Sequence, residues 1–187
     1  MKKMILASTG FDNPAIQQEF LSMLNKPVDQ IQCLFIPTAA NDKQSQELIP
    51  VCFNELTDIG ILPGNIITYN CDRYISSNEL SEYDVVYVCG GSENYLMKKI
   101  NECGIADELK KAVEQNLIFV GVSAGSMIAS NKMNHHVNGL GLVPMQINPH
   151  AEENIVKDGT IFNKNQTINL SDRQAIVVSG KHMHVVE

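Results

Sequence analysis

Short apolar runs alternate along this chain with stretches whose apolar residues recur every three or four positions. The first pattern predicts strands buried on both faces and the second predicts helices that cover them. Their alternation predicts a mostly parallel sheet with helices on both sides. Residues 2–8 read as the first strand, and Pro14 opens a helix in which Ile16, Phe20, Leu21 and Leu24 share one face. The spacing predicts further strands over 32–37 and 66–69, with a helix over 46–59 between them that Gly60 stops. Residues 84–89 form a fourth, almost continuously apolar strand, followed by helices over 94–102 and 105–115 broken at Gly104. The run 117–122 reads as the central strand.

Beyond it the rhythm changes. A short helix is expected over 125–131, then a loop-rich stretch over 134–149 with one strand at 143–147. From Thr160 the chain alternates in short strands, with Ser179-Gly180-Lys181 as a hairpin turn between 175–178 and 184–186. No repeat, low-complexity tract or linker interrupts it, so residues 1–187 read as one domain with an antiparallel edge at its end.

Of the 187 residues 44% are apolar, enough for a real core. The net charge of −7 argues against a nucleic-acid partner, which would require a basic stripe. No run approaches the roughly 18 apolar residues of a membrane helix. Met1-Lys2-Lys3 resembles the basic start of an export signal, but the apolar stretch ends at Gly10-Phe11-Asp12. A cytoplasmic protein is expected. Cys33, Cys52, Cys71, Cys89 and Cys103 show neither a disulfide framework nor metal-ligand spacing, and read as reduced, mostly buried thiols with no metal.

The chemistry concentrates in Gly121-Val122-Ser123-Ala124-Gly125, a G-x-S-x-G run between a predicted strand and a predicted helix. That is the setting of a nucleophile elbow, where a tight turn lifts the serine hydroxyl clear of the sheet. The same five residues also suit a plain strand–helix turn. A helix start adds free N–H groups and a positive dipole end for a developing oxyanion. A second turn, Cys89-Gly90-Gly91-Ser92, follows the neighbouring strand, so Gly91 and Ala124 are candidate oxyanion donors. A phosphate cradle is the competing use of these glycines, but neither a P-loop nor G-x-G-x-x-G is present. The candidate bases are His135, His136, His150, His182 and His184, and spacing alone leaves the choice among them open.

Gly121-Val122-Ser123-Ala124-Gly125-Ser126, together with Val143-Pro144-Met145-Gln146-Ile147-Asn148-Pro149-His150, resembles the peptidase E (alpha-aspartyl dipeptidase) family of serine peptidases. Further matches are Phe35-Ile36-Pro37-Thr38-Ala39, Val88-Cys89-Gly90-Gly91 and Leu170-Ser171-Asp172-Arg173-Gln174-Ala175-Ile176, in order along the chain. The resemblance implies an α/β fold: a single-domain flavodoxin-like (class I glutamine-amidotransferase-like) sandwich with a mostly parallel central sheet. It implies Ser123 as nucleophile, His150 as general base, and Gly91 and Ala124 as oxyanion donors. No Asp or Glu lies between Ser123 and His150, and the family's late acidic motif falls on Asp172, ahead of Glu152, Glu153, Asp158 and Glu187.

The chain departs from the family pattern at two places. Ser92-Glu93 follow the double glycine, where the dipeptidases carry Asn or Asp and then Thr. The Arg-bearing segment after the histidine is missing, and Arg73 and Arg173 are the only arginines. A substrate aspartate favours a bidentate cation, so hydrolysis without a marked Asp-X preference is expected, with Ser92 and Glu93 as candidate substrate contacts. Glu93 would suit a peptide's free amine, and Lys157 or Arg173 is the candidate substitute cation.

The leading expectation is a dipeptidase-type serine hydrolase that uses no cofactor, acts on a small peptide and touches neither nucleic acid nor membrane. A homodimer is its one candidate assembly. A non-peptide acyl-hydrolase and a catalytically silent binding domain of the same fold are the alternatives. An α/β-hydrolase order would instead pair Ser123 and Asp172 with His182 or His184.

Overall fold

The computed structural model describes residues 1–133 and 137–187, so the expectation of solvated loop histidines at 135 and 136 falls outside the described residues. Five parallel strands, β1 (Lys3–Ala7), β2 (Cys33–Ile36), β3 (Ile66–Thr68), β4 (Val85–Val88) and β5 (Ile118–Val122), join an antiparallel pair. That pair is β8 (Ala175–Ser179) and β9 (His182–Val186), and the sheet order is β3-β2-β4-β5-β1-β8-β9. A separate parallel pair, β6 (Gln146–Asn148) with β7 (Thr167–Asn169), lies outside this sheet. The fold is flavodoxin-like, a mixed α/β architecture with a mostly parallel central sheet and an antiparallel edge.

Alternation along each strand divides the core between two helix layers. Met4, Leu6, Val86, Val88 and Phe119 face α5 (Glu93–Glu102) and α6 (Ala106–Gln115), which bury Leu96, Ile100, Leu109 and Val113. Ile5, Ala7, Phe35, Tyr87 and Val120 face α1 (Pro14–Met23) and α3 (Ile49–Asp58), which bury Ile16, Phe20, Cys52 and Leu56. β4 and β5 are buried throughout and β1 from Met4 onward, as their apolar runs require. β3 is the edge strand, with Ile67 45% exposed.

Several boundaries differ from expectation for identifiable reasons. The helix over 46–59 is two pieces, α2 (Lys43–Gln46) and α3, because Pro50 has no N–H for the Gln46 carbonyl. On α1 the buried face is Ile16, Phe20 and Met23, leaving Leu21 exposed. The strand at 143–147 shifts to β6: Pro144 cannot extend the lone bridge from Val143 to Ser130. The one-turn α4 (Ser77–Leu80), capped by Ser76, and the three-residue β7 are too short to carry a periodic signal. Gly180 takes φ +62° at the first central position of the β8–β9 turn, as a type II′ hairpin requires. All five cysteines are unpaired, and four are buried. Among the described residues no helix is long and apolar enough to cross a membrane.

One polar contact crosses the α3 layer. The hydroxyl of the fully buried Tyr87 donates to Glu55 on α3 at 2.7 Å. Burial pushes the Glu55 carboxyl above its ordinary range, outweighing the Tyr87 bond. The folded state therefore holds this proton to higher pH than the unfolded chain, and stability falls as pH rises through that interval. Glu55→Gln, which keeps an acceptor for Tyr87, is expected to raise the melting temperature at pH 8 relative to wild type. The gain should shrink toward pH 4, where Glu55 is protonated in both states; a constant gain across that range would contradict burial as the cause.

Candidate active site

β4, β5 and β1 are neighbours and end together, with Val88 opposite Gly121 and Ala7 opposite Val122. Ser123 follows β5 at φ +49° and ψ −108°, and its N–H still reaches the Ala7 carbonyl at 3.0 Å. This left-handed backbone is costly for a serine and survives only where the surroundings hold it. Here they do. A Cβ on Gly121 would stand 2.5 Å from the Gly125 carbonyl oxygen, and one on Gly125 would stand 2.3 Å from that of Val88. Both glycines are thus fixed by close backbone approach. The buried Ser126 hydroxyl lies 2.7 Å from the carbonyl oxygens of Ala7 and Gly121, tying the turn to two strands.

The expected helix over 125–131 is a single turn, α7 (Ala124–Met127). So short a helix has little macrodipole, and what it offers is its first N–H groups, which have no intrahelical acceptor. Ala124 supplies the one next to Ser123. Gly90 lies against the serine, since a Cβ there would be 3.2 Å from that of Ser123. Gly91 sits at φ +136° with no room for a side chain, because a Cβ would meet the Ala39 carbonyl oxygen at 2.2 Å.

His150 Nε2 lies 2.9 Å from Ser123 Oγ, and its Nδ1 lies 2.6 Å from Asp172 Oδ1. A carboxylate only accepts, so the Nδ1 proton points to Asp172 and leaves Nε2 free to accept from the serine. The β6–β7 pair creates this contact: Asn148 pairs with Asn169, and the Leu170 N–H reaches the Asn148 carbonyl at 2.9 Å. His150 and Asp172 then follow two and three residues beyond paired strand ends.

Ser8 reinforces the arrangement from the end of β1. Fully buried, its hydroxyl accepts the His150 backbone N–H at 2.8 Å and donates to Asp172 Oδ1 at 3.5 Å. His150 takes φ +55° in this loop. Ser8 carried no motif; its only sequence signal was its place after β1, beside the elbow strand. Thr9 Oγ1 donates to the Asp172 carbonyl at 2.5 Å. Buried Gln174 donates to the Val156 carbonyl and accepts from the Ser171 N–H, bracing the same loop.

Other candidates lie elsewhere. His182 pairs with Ser179 at the opposite end of the sheet, and His184 Nε2 lies 3.3 Å from Glu19, so neither meets Ser123. Ser92 caps α5 by accepting the Tyr95 N–H, and Glu93 accepts from Asn94. Arg173 and Lys157 are exposed. A cavity of about 240 Å³ opens beside Ser123 and His150, and none of Ser92, Glu93, Lys157 or Arg173 lines it. Among the described residues no cluster of three His, Cys, Asp or Glu side chains is arranged to hold a metal.

A flavodoxin-like sheet carrying a strained serine elbow, with a histidine and a carboxylate in hydrogen-bonded sequence, defines a hydrolase-like α/β architecture. The model of peptidase family S51 matches residues 4–186, and the chain belongs to that family. An uncharacterised peptidase of Pasteurella multocida is 23% identical over 148 residues, 78% of this chain and 69% of the relative. Peptidase E of a Nostoc species is 30% identical over 154 residues, spanning 75% of this chain and 60% of that protein. A crystal structure of a candidate peptidase E from Listeria monocytogenes superposes with a TM-score of 0.81 at 20% identity. It covers all of this chain and 98% of its own, and so shares the fold.

Two substitutions test the scaffold. Gly125→Ala drives a methyl into the Val88 carbonyl and is expected to destabilise the protein by about 3 kcal/mol or more in urea unfolding. Ser8→Ala removes the acceptor of the His150 N–H and is expected to cost about 1–3 kcal/mol in the same assay. Wild-type stability in both variants would refute the packing and hydrogen bonds described.

Proposed function

We propose that this protein is a serine peptidase of dipeptidase type, hydrolysing short peptides through an acyl-enzyme on Ser123. The observation that carries the proposal is the continuous chain from Ser123 Oγ through His150 to Asp172. His150 takes the serine proton as Oγ attacks the scissile carbonyl, and Asp172 orients the ring and stabilises the imidazolium. The backbone N–H groups of Gly91 and Ala124 receive the developing oxyanion. His150 then protonates the leaving amine, and a water activated by the same ring releases the acid.

Family membership supports the peptidase class, and the choice of short peptides rests on the motif resemblance to the peptidase E family. None of the lining side chains of the cavity beside Ser123 is Lys or Arg, which supports activity without an aspartyl requirement. Unpaired cysteines suit a reducing compartment, and we assign the protein to the cytoplasm.

A fluorophosphonate probe is expected to label Ser123 in the folded protein and to leave Ser123→Ala unlabelled. His150→Ala should lower kcat on dipeptides by about 10³-fold, while His182→Ala and His184→Ala leave it unchanged. Labelling at another residue, or equal losses in the three histidine variants, would refute the mechanism.

A further inference from the structure

We infer that the cavity beside Ser123 binds the side chain of the residue whose carbonyl is attacked, and that it selects an apolar side chain over an acidic one, with Glu55 as a specificity-determining residue. The assignment of that side chain rests on the acyl-transfer reading above. The cavity reaches Ser123 and His150 at one end, and Leu48, Ile49, Val51 and Cys52 supply its α3 wall. Cys89 and Val122 close it from the ends of β4 and β5. Leu48 and Val51 are 56% and 51% exposed, so this wall is open to an incoming side chain. At about 240 Å³ the cavity is below the roughly 300–1,000 Å³ that encloses a drug-sized ligand, and suits one side chain.

Glu55 is the only carboxylate among the lining residues, and no Lys or Arg accompanies it. It is held in place by the Tyr87 hydroxyl at 2.7 Å and by the Phe11 backbone N–H. Tyr87 is itself wedged between Phe11 and Phe35, at ring separations of 5.8 Å from each. A substrate carboxylate entering this space would meet mostly apolar walls and no Lys or Arg. The lining hydroxyls of Ser8, Thr9 and Ser45 already donate within the protein, and an ionised Glu55 would repel the carboxylate. An apolar side chain meets no such penalty and gains by burial. Glu55 is not a free anchor for a cation, since two of its acceptor sites are already used and burial disfavours its charge.

The test separates binding from chemistry. Titration calorimetry on the Ser123→Ala protein is expected to give Leu-Ala an affinity at least about tenfold above that of Asp-Ala. Glu55→Gln in the same background should narrow that gap by improving Asp-Ala. Equal affinities, preference for Asp-Ala or for Lys-Ala over Leu-Ala, no saturable binding of Leu-Ala, or a gap untouched by Glu55→Gln would each overturn the inference. A preference for Leu-Ala in binding, with no hydrolysis and no fluorophosphonate adduct in wild type, would overturn the acyl-transfer reading and uphold the cavity's selectivity.

Discussion

Everything at the carboxyl edge of this sheet depends on how closely three backbones approach one another. β4, β5 and β1 end side by side, and the turn after β5 must fold back within one residue to start α7. Gly121 and Gly125 permit it because a methyl at either would overlap a carbonyl group. Ser123 carries the resulting strain in its φ of +49°, and the Ser126 hydroxyl and the Ala7 carbonyl hold it there. The half-buried position of Ser123 at the sheet's edge follows from this packing rather than from any property of serine.

The sheet positions Ser123, and a smaller device positions its partner. β6 and β7 are only three residues each, yet their parallel register brings the loops of His150 and Asp172 to one place. Parallel pairing needs a connection that leaves and returns, and residues 149–166 provide it. Asn148 donates to Asn169 across the pair at 2.9 Å, a side-chain bond that favours this register over its neighbours. The distance between the His150 ring and the Asp172 carboxylate is therefore set by backbone pairing more than by the attraction of the groups themselves.

The long apolar runs of β1, β4 and β5 were legible because strands buried on both faces need nothing but apolar residues. Ser123 was legible for a similar reason: the constraint on its neighbours is local and leaves glycines behind. His150 and Asp172 came only through resemblance, since no spacing within one segment links residues joined by β6–β7 pairing. Ser8 escaped notice because a buried hydroxyl beside a strand end carries no pattern, and the cavity wall because Pro50 hid where α3 begins. Glu93, chosen for its nearness to the double glycine, sits on α5 outside the cavity, whereas Glu55 enters it from a helix distant in sequence.

The side chains of His150 and Asp172 are 50% and 66% exposed, and this decides what can hold them. Solvent screens an exposed pair, so its Coulomb attraction alone contributes little to fixing the ring. Precision must come from atoms that water cannot reach. Ser8, fully buried, meets that need by binding both the His150 N–H and the Asp172 carboxylate. Gln174, almost as buried, secures the loop behind Asp172. The site can thus stay open to water, which the proposed deacylation would consume, while its geometry is set from beneath by hydrogen bonds in the dry interior. Ser8 and Thr9 also reach the cavity beside Ser123, but their hydroxyls are committed to Asp172 and the His150 N–H, so the α3 side, apolar except for Glu55, is left to meet a substrate side chain.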